Sequence, residues 1–296
     1  MKITRFPILA AALLLTATPA CAASNMPKPL ASIKYRSDEK LIVLPVSIGG
    51  QHTWFALDSG ARHTVIDPRL TSALGLKQVA RSTTTGAGKG AVGVGHVGPV
   101  TLKLSGMALP VADPWVIDLS GVPIAKDIRG LVGAELFERH IVRIDPVRRT
   151  LQVFDARDYP RPKGAVALPL IVENQRLFID CVLDVKPGLS VKRRLRIDTG
   201  SGDSVNDPTV GQARETRKTV VGNGLGASYE ATSGKLDAVH IGPFTIKQVW
   251  GPGGEPPSIG MEIFRRFTTT FDAPHGKLYL QPNAAFGEPV PAPPTG

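Results

Sequence analysis

The chain has 296 residues, a formal net charge of +10, 42% hydrophobic and 6% aromatic residues, and two cysteines. That length and apolar content suffice for one or two sizeable cores, which excludes a disordered or low-complexity chain. Sparse aromatics and the lack of a basic, aromatic-studded platform argue against nucleic acid as the partner of the positive charge. An anionic envelope surface is the simpler expectation.

Residues 1–22 do not read as part of a fold. Lys2 and Arg5 precede an apolar run over residues 7–15, and Ala20-Cys21-Ala22 fits a small-x-small cleavage site, the pattern of a secretory signal peptide. The run is shorter than the roughly 20 residues of a membrane span. The rival is lipidation at Cys21, although Thr18 stands where such a site usually has an aliphatic residue. A periplasmic or secreted product is expected, with a lipid anchor through Cys21 as the alternative. Either way only Cys181 remains, so the fold must hold without an internal disulfide. Its run, residues 177–183, is strand-like and apolar, which marks a buried thiol.

Residues 23–38 read as a polar leader. Beyond it the elements come in two rounds, 39–159 and 160–283. An apolar approach, Trp54-Phe55-Ala56-Leu57, runs into Asp58-Ser59-Gly60; later, Leu195-Arg196-Ile197 runs into Asp198-Thr199-Gly200. Short alternating segments such as 97–104 and 151–154 predict strands separated by Gly-rich turns. Each round ends on an apolar-apolar-Gly signal, Leu131-Val132-Gly133 and Ser258-Ile259-Gly260, followed by a short predicted helix over 134–140 or 261–266. Glu135 and Glu262 open those helices, where a negative charge suits the dipole. Asp145 and Asp272 recur in predicted hairpin turns and read as structural. Prolines at 160 and 162 mark the join, and the proline-dense stretch 284–296 predicts an extended, poorly ordered tail. The class is mainly β.

Two features need separate weighing. In Lys192-Arg193-Arg194-Leu195-Arg196, strand periodicity places Arg194, Arg196 and Asp198 on one face and Leu195 and Ile197 on the other. Such a run is ordinarily a solvated face; the other reading is a positive rim that draws acidic peptides or favours ionised Asp198. The six histidines (His52, His63, His96, His140, His240, His275) include no pair at ligand spacing, so neither a metal nor another cofactor is expected. His63 reads as a surface residue, with tuning of Asp58 as the alternative.

An Asp-Ser/Thr-Gly turn with its own downstream glycine, present twice in one chain, resembles the pepsin-like and retropepsin-like aspartic peptidases. The flanking run Phe55-Ala56-Leu57-Asp58-Ser59-Gly60-Ala61 resembles the retropepsin-like form found in many bacterial proteins. The resemblance covers residues 40–282. It implies a bilobal fold of two closed barrels about a pseudo-two-fold axis, within one monomeric chain. Asp58 and Asp198 would then be the catalytic pair, sharing one proton and activating water for hydrolysis of a peptide or protein substrate, with no cofactor.

Ser59, Gly60, Thr199, Gly200, Ser201, Gly133 and Gly260 would support the active loops. The Gly-rich run 85–95 resembles a flap hairpin, with Gly86 and Gly88 as substrate-binding candidates; Tyr229, in the second copy, could stand in for a missing flap tyrosine. Because Ser201 follows Gly200 where Ala61 follows Gly60, the Ser201 hydroxyl is expected to bond Asp198 and leave Asp58 the proton. The alternative function is a non-catalytic peptide-binding or envelope scaffold that keeps the fold.

Overall fold

A computed structural model of the chain describes residues 26–38, 40–85, 90–122, 126–157, 159–221, 224 and 228–292. The signal-peptide segment with Cys21, and the flap candidates Gly86 and Gly88, lie outside them. The protein is mainly β, with two curled half-barrel sheets and a third sheet between them.

The first half-barrel places strand Gln51–Leu57 between Leu41–Ile48, antiparallel, and Ile128–Val132, parallel. Its far edge is the hairpin Gln78–Thr84 with Val92–Val97. The second repeats this design: strand Leu189–Asp198 lies between Arg176–Lys186, antiparallel, and Ser258–Gly260, parallel. In both, the late apolar-apolar-Gly signal is the strand that pairs parallel with the approach to the acid. That is why the two signals recur together in the sequence.

The third sheet runs Ala31–Lys34, Thr150–Asp155, His140–Asp145, Phe267–Asp272, Lys277–Pro282, Val166–Pro169. Its centre is the antiparallel pairing of two corresponding strands, with Val142 opposite Phe271 and Ile144 opposite Thr269. The leader expected over 23–38 is thereby corrected. Its alternation Ala31-Ser32-Ile33-Lys34 buries Ala31 and Ile33 against Thr150–Asp155, so it forms an edge strand. Asp145 and Asp272 close the two hairpins of this sheet, Asp145 by accepting from Arg148 N–H and Asp272 by bonding the His275 ring.

One apolar cluster extends through both half-barrels and the shared sheet, from Ile33 and Phe55 to Ile259 and Phe271. Cys181 sits in it, its thiol pushed up to about 12 by burial, which makes it an inert apolar filler. The tail expectation also needs correcting through residue 292. Phe286 stacks edge-on with Phe244 and Phe267, Val290 is buried, and Arg266 donates to the Glu288 and Pro289 carbonyls. Its apolar residues find a vacant patch of core, and a buried guanidinium satisfies carbonyls that proline-rich backbone leaves unpaired.

The predicted helices are present but short, Glu135–Arg139 and Met261–Phe264. A further pair of helical turns carries its own sequence signal. Asp67-Pro68 and Asp207-Pro208 each cap a helical turn, Pro68–Ala73 and Pro208–Gln212, with the Asp accepting from the backbone N–H two residues on. Asp before Pro at a first helical position is a start signal.

Candidate active site

Asp58 and Asp198 end corresponding strands, and the two loops that follow interlock. Ser59 N–H donates to Thr199 Oγ1 at 2.9 Å, and Thr199 N–H donates to Ser59 Oγ at 3.1 Å. Each hydroxyl then donates onward across the interface, Ser59 Oγ to the Ile197 carbonyl at 2.9 Å and Thr199 Oγ1 to the Leu57 carbonyl at 3.0 Å. Both side chains are fully buried, and all four bonds cross between the two halves. An exposed pair would gain little from such contacts; in a dry interface an unmade bond is costly, so this lattice fixes the register of the loops.

The lock sets the carboxylates against the opposite loops. A Cβ built on Gly60 would lie 2.8 Å from the Asp198 carboxyl carbon, and one on Gly200 would lie 2.6 Å from that of Asp58. Neither loop has room for a side chain at that position. Gly133 and Gly260 serve the same loops from behind: a Cβ on Gly133 would strike the His63 carbonyl carbon at 2.6 Å, and one on Gly260 the Asp203 and Ser201 carbonyl oxygens.

The two carboxylates have unequal partners. Asp58 Oδ1 accepts from the Gly60 and Ala61 N–H groups at 2.9 and 3.1 Å. Asp198 Oδ1 accepts from Gly200 N–H at 3.1 Å, while its Oδ2 takes a 2.7 Å ion pair from Arg196. Burial and the negative charge of Asp198 raise the Asp58 pKa well above the usual carboxylate range, against the lowering influence of Arg196 and the two N–H donors. Asp58 is thus biased towards its protonated form, while Asp198 is the member that carries the Arg196 ion pair.

The expected bond from Ser201 to Asp198 is not made. The Ser201 hydroxyl accepts from Asp203 N–H at 3.2 Å and lies 3.4 Å from the Asp203 carboxylate, because the chain turns there to start the next strand. The partner of Asp198 is the arginine two residues before it, on the same strand face.

Of the other candidates, Tyr229 accepts from Glu255 N–H at 3.4 Å on its own half. Glu135 does more than face a helix dipole: it accepts from both Thr64 N–H and Thr64 Oγ1 at 2.9 Å, tying its helix to the loop beyond Asp58. Glu262 instead pairs with Lys40, Arg265 and the buried Arg266. His63 stacks on Trp115 at 4.3 Å, so it packs rather than facing Asp58.

A hydrogen-bonded chain at the base of the first hairpin was not foreseen. Ser82 Oγ and His96 Nε2 are 2.8 Å apart, and His96 Nδ1 and Asp113 are 2.9 Å apart. The order is that of a nucleophile, base and orienting acid, but Ser82 lies on a regular edge strand and not on a strained turn at a strand end. The chain reads as a tether that holds the hairpin to its sheet.

A family model described as aspartyl protease matches residues 44–136, the stretch that carries Asp58 and Gly133. A search of curated proteins finds no match. Among solved structures, the chain is similar to basic 7S globulin from soybean, with a TM-score of 0.51 and 11% identity over 86% of this chain and 95% of that one. The fold is acid-protease-like. At that identity the likeness speaks for the architecture alone. The family match falls wholly on the first half, and the second acid is placed beside the first by the interlocked hydroxyls.

Proposed function

We propose that the protein is an exported aspartic endopeptidase that hydrolyses peptide bonds with Asp58 and Asp198. The observation that carries this reading is reciprocal: each carboxylate lies against the glycine of the other loop, so both face one point. Asp198, anionic beside Arg196, takes a proton from a water whose oxygen attacks the peptide carbonyl carbon. Asp58, protonated, donates a hydrogen bond to the carbonyl oxygen. The tetrahedral species collapses as the C–N bond breaks and the leaving amine takes up a proton. The match of residues 44–136 to an aspartyl protease model supports peptidase chemistry generally.

The extended substrate would lie between the two halves under the 78–97 hairpin, as an added strand. Cleavage of residues 1–22 would release the chain beyond the inner membrane, as a monomer whose positive charge favours anionic envelope surfaces. Intact mass of the secreted product distinguishes a free N-terminus from a lipid on Cys21.

Cleavage of a peptide library by the wild type, Asp58→Ala and Asp198→Ala tests the reading. Each substitution is expected to lower kcat/KM by at least about a thousandfold, since the two acids act as a unit. Cleavage that survives both refutes it. The Arg196–Asp198 ion pair favours one second reading, a peptide-binding scaffold, because it occupies the oxygen a catalytic water would use. Peptide binding without cleavage by the wild type is the outcome that reading requires.

A further inference from the structure

Arg196 is not the only guanidinium at the carboxylate pair. Arg176 opens strand Arg176–Lys186, whose pairing with Leu189–Asp198 runs as far as Phe178 opposite Arg196; continued for two residues, the same register would set Arg176 level with Asp198. Arg176, Phe178, Arg196 and Asp198 therefore share one face of the sheet. Arg176 is within electrostatic reach of Asp58, Asp198, Arg196 and Arg62, and burial together with its two arginine neighbours lowers its pKa.

The partners are unevenly distributed. Arg196 spends one nitrogen on Asp198, while its Nε is buried with no hydrogen-bond partner. Arg176 Nε is likewise buried and unpartnered, and among the described residues neither Arg176 nor Arg62 makes an ion pair. Arg196 and Arg176 are thus within electrostatic reach of the carboxylate pair and Arg62 is within reach of Arg176, while the negative charges nearby are Asp203, in reach of Asp198, and Glu173, opposite Arg176 but paired with Arg194. The first half differs at the matching position: two residues before Asp58 stands Ala56, fully buried. A buried guanidinium nitrogen with no acceptor is costly, and the planar fork of donors on half-buried Arg176 is suited to a carboxylate.

We propose that the site selects substrates that carry a carboxylate beside the scissile bond, bound by Arg176 on the second half and drawn in by Arg62 at the rim. Phe178, half-buried between the two arginines, supplies the apolar floor for the alkyl part of such a residue. The carboxylate can belong to an acidic side chain or to the peptide C-terminus; the recognising chemistry is the same. The inference rests on the peptidase reading for where the peptide lies, but recognition of the carboxylate does not require that cleavage follow.

The test uses the mature chain and two peptide pairs. One pair has Glu or Gln flanking the scissile bond in a C-terminally amidated peptide; the other has the Gln peptide with a free or an amidated C-terminus. In one pair the wild type should favour the carboxylate-bearing member by about tenfold or more in kcat/KM, and the pair that responds identifies the source of the carboxylate. Arg176→Gln should cut that ratio below about twofold and Arg176→Lys should keep part of it, while Arg62→Gln, at an exposed position, should lower it by about threefold. Ratios near one in both pairs, from a wild type that cleaves, overturn the proposal and leave the peptidase reading standing.

Reduced-amide versions of the same peptides, followed by fluorescence anisotropy, separate the two failures. Preferential binding of a carboxylate-bearing peptide without cleavage keeps the inference and refutes the peptidase; equal or absent binding refutes the inference. Should Arg176→Gln fail to give a wild-type melting transition, the Arg176→Lys and Arg62→Gln ratios decide the matter.

Discussion

The two halves share a skeleton and differ in the charges hung on it. Each has an acid at the end of a central strand, a glycine beyond it, a parallel partner strand and an Asp-Pro cap further on. The interlock between them is almost symmetric, a serine on one side and a threonine on the other. Two positions before the acid, however, one half has Ala56 and the other Arg196; one acid is held only by backbone N–H groups and its twin by a guanidinium. Hydrogen-bond geometry fixes where the carboxylates sit, and the charge beside them is what differs between the halves. The repeated skeleton supplies the first, and a few differing side chains supply the second.

The symmetric part is broken most severely at the glycines. Gly200→Ala and Gly60→Ala each drive a methyl group into the opposing carboxylate, and a misplacement of about an ångström is expected to lower kcat/KM by around a hundredfold. Equal losses in the two variants would confirm that the loops are equivalent, whereas full activity in either would mean that the loops do not approach as described. Next comes the interlock. Thr199→Val leaves Ser59 N–H without its acceptor and the Leu57 carbonyl without its donor, at a cost of about 2–4 kcal/mol in chemical denaturation. Ser59→Ala should cost a similar amount, and a large inequality would show that one half carries the interface.

The asymmetric part is probed by pH. Asp58 must be protonated to act as donor, so activity falls as pH rises through its elevated pKa. Arg196 favours the ionised form of Asp58, so Arg196→Met removes that influence and should move the high-pH limb of the kcat/KM profile to higher pH. A limb that stays put, or moves down, would remove Arg196 from the account. The smallest effect belongs to Ser201→Ala, where the high-pH limb should stay within about 0.3 pH units of wild type, because the hydroxyl faces Asp203 and not the pair.

The acids, their glycines and the mainly β class were legible because a tight turn between two strands admits few residue types, and because the pattern occurs twice. The Asp-Pro caps were equally legible from Asp67 and Asp207. Strand periodicity already set Arg196 on the face of Asp198, where a positive rim favouring its ionised form was the alternative; the Ser201 bond failed because adjacency in sequence is a poor guide where the backbone turns away. Ala31–Lys34 escaped because its alternation runs for only four residues, too few to mark a strand without the partner it pairs with. The tail escaped because proline density reports the backbone and is silent about a Phe286 or Val290 that finds a vacancy in the core.

The shared sheet has one more consequence. The halves are joined at two levels, by the hydroxyl lattice beneath the acids and by the pairing of His140–Asp145 with Phe267–Asp272. Two separated fastenings resist both sliding and rocking, as two rivets hold plates that one would let pivot. The carboxylates are thereby held at a fixed separation, and among the described residues the edge hairpin Gln78–Thr84 with Val92–Val97 lies away from both fastenings.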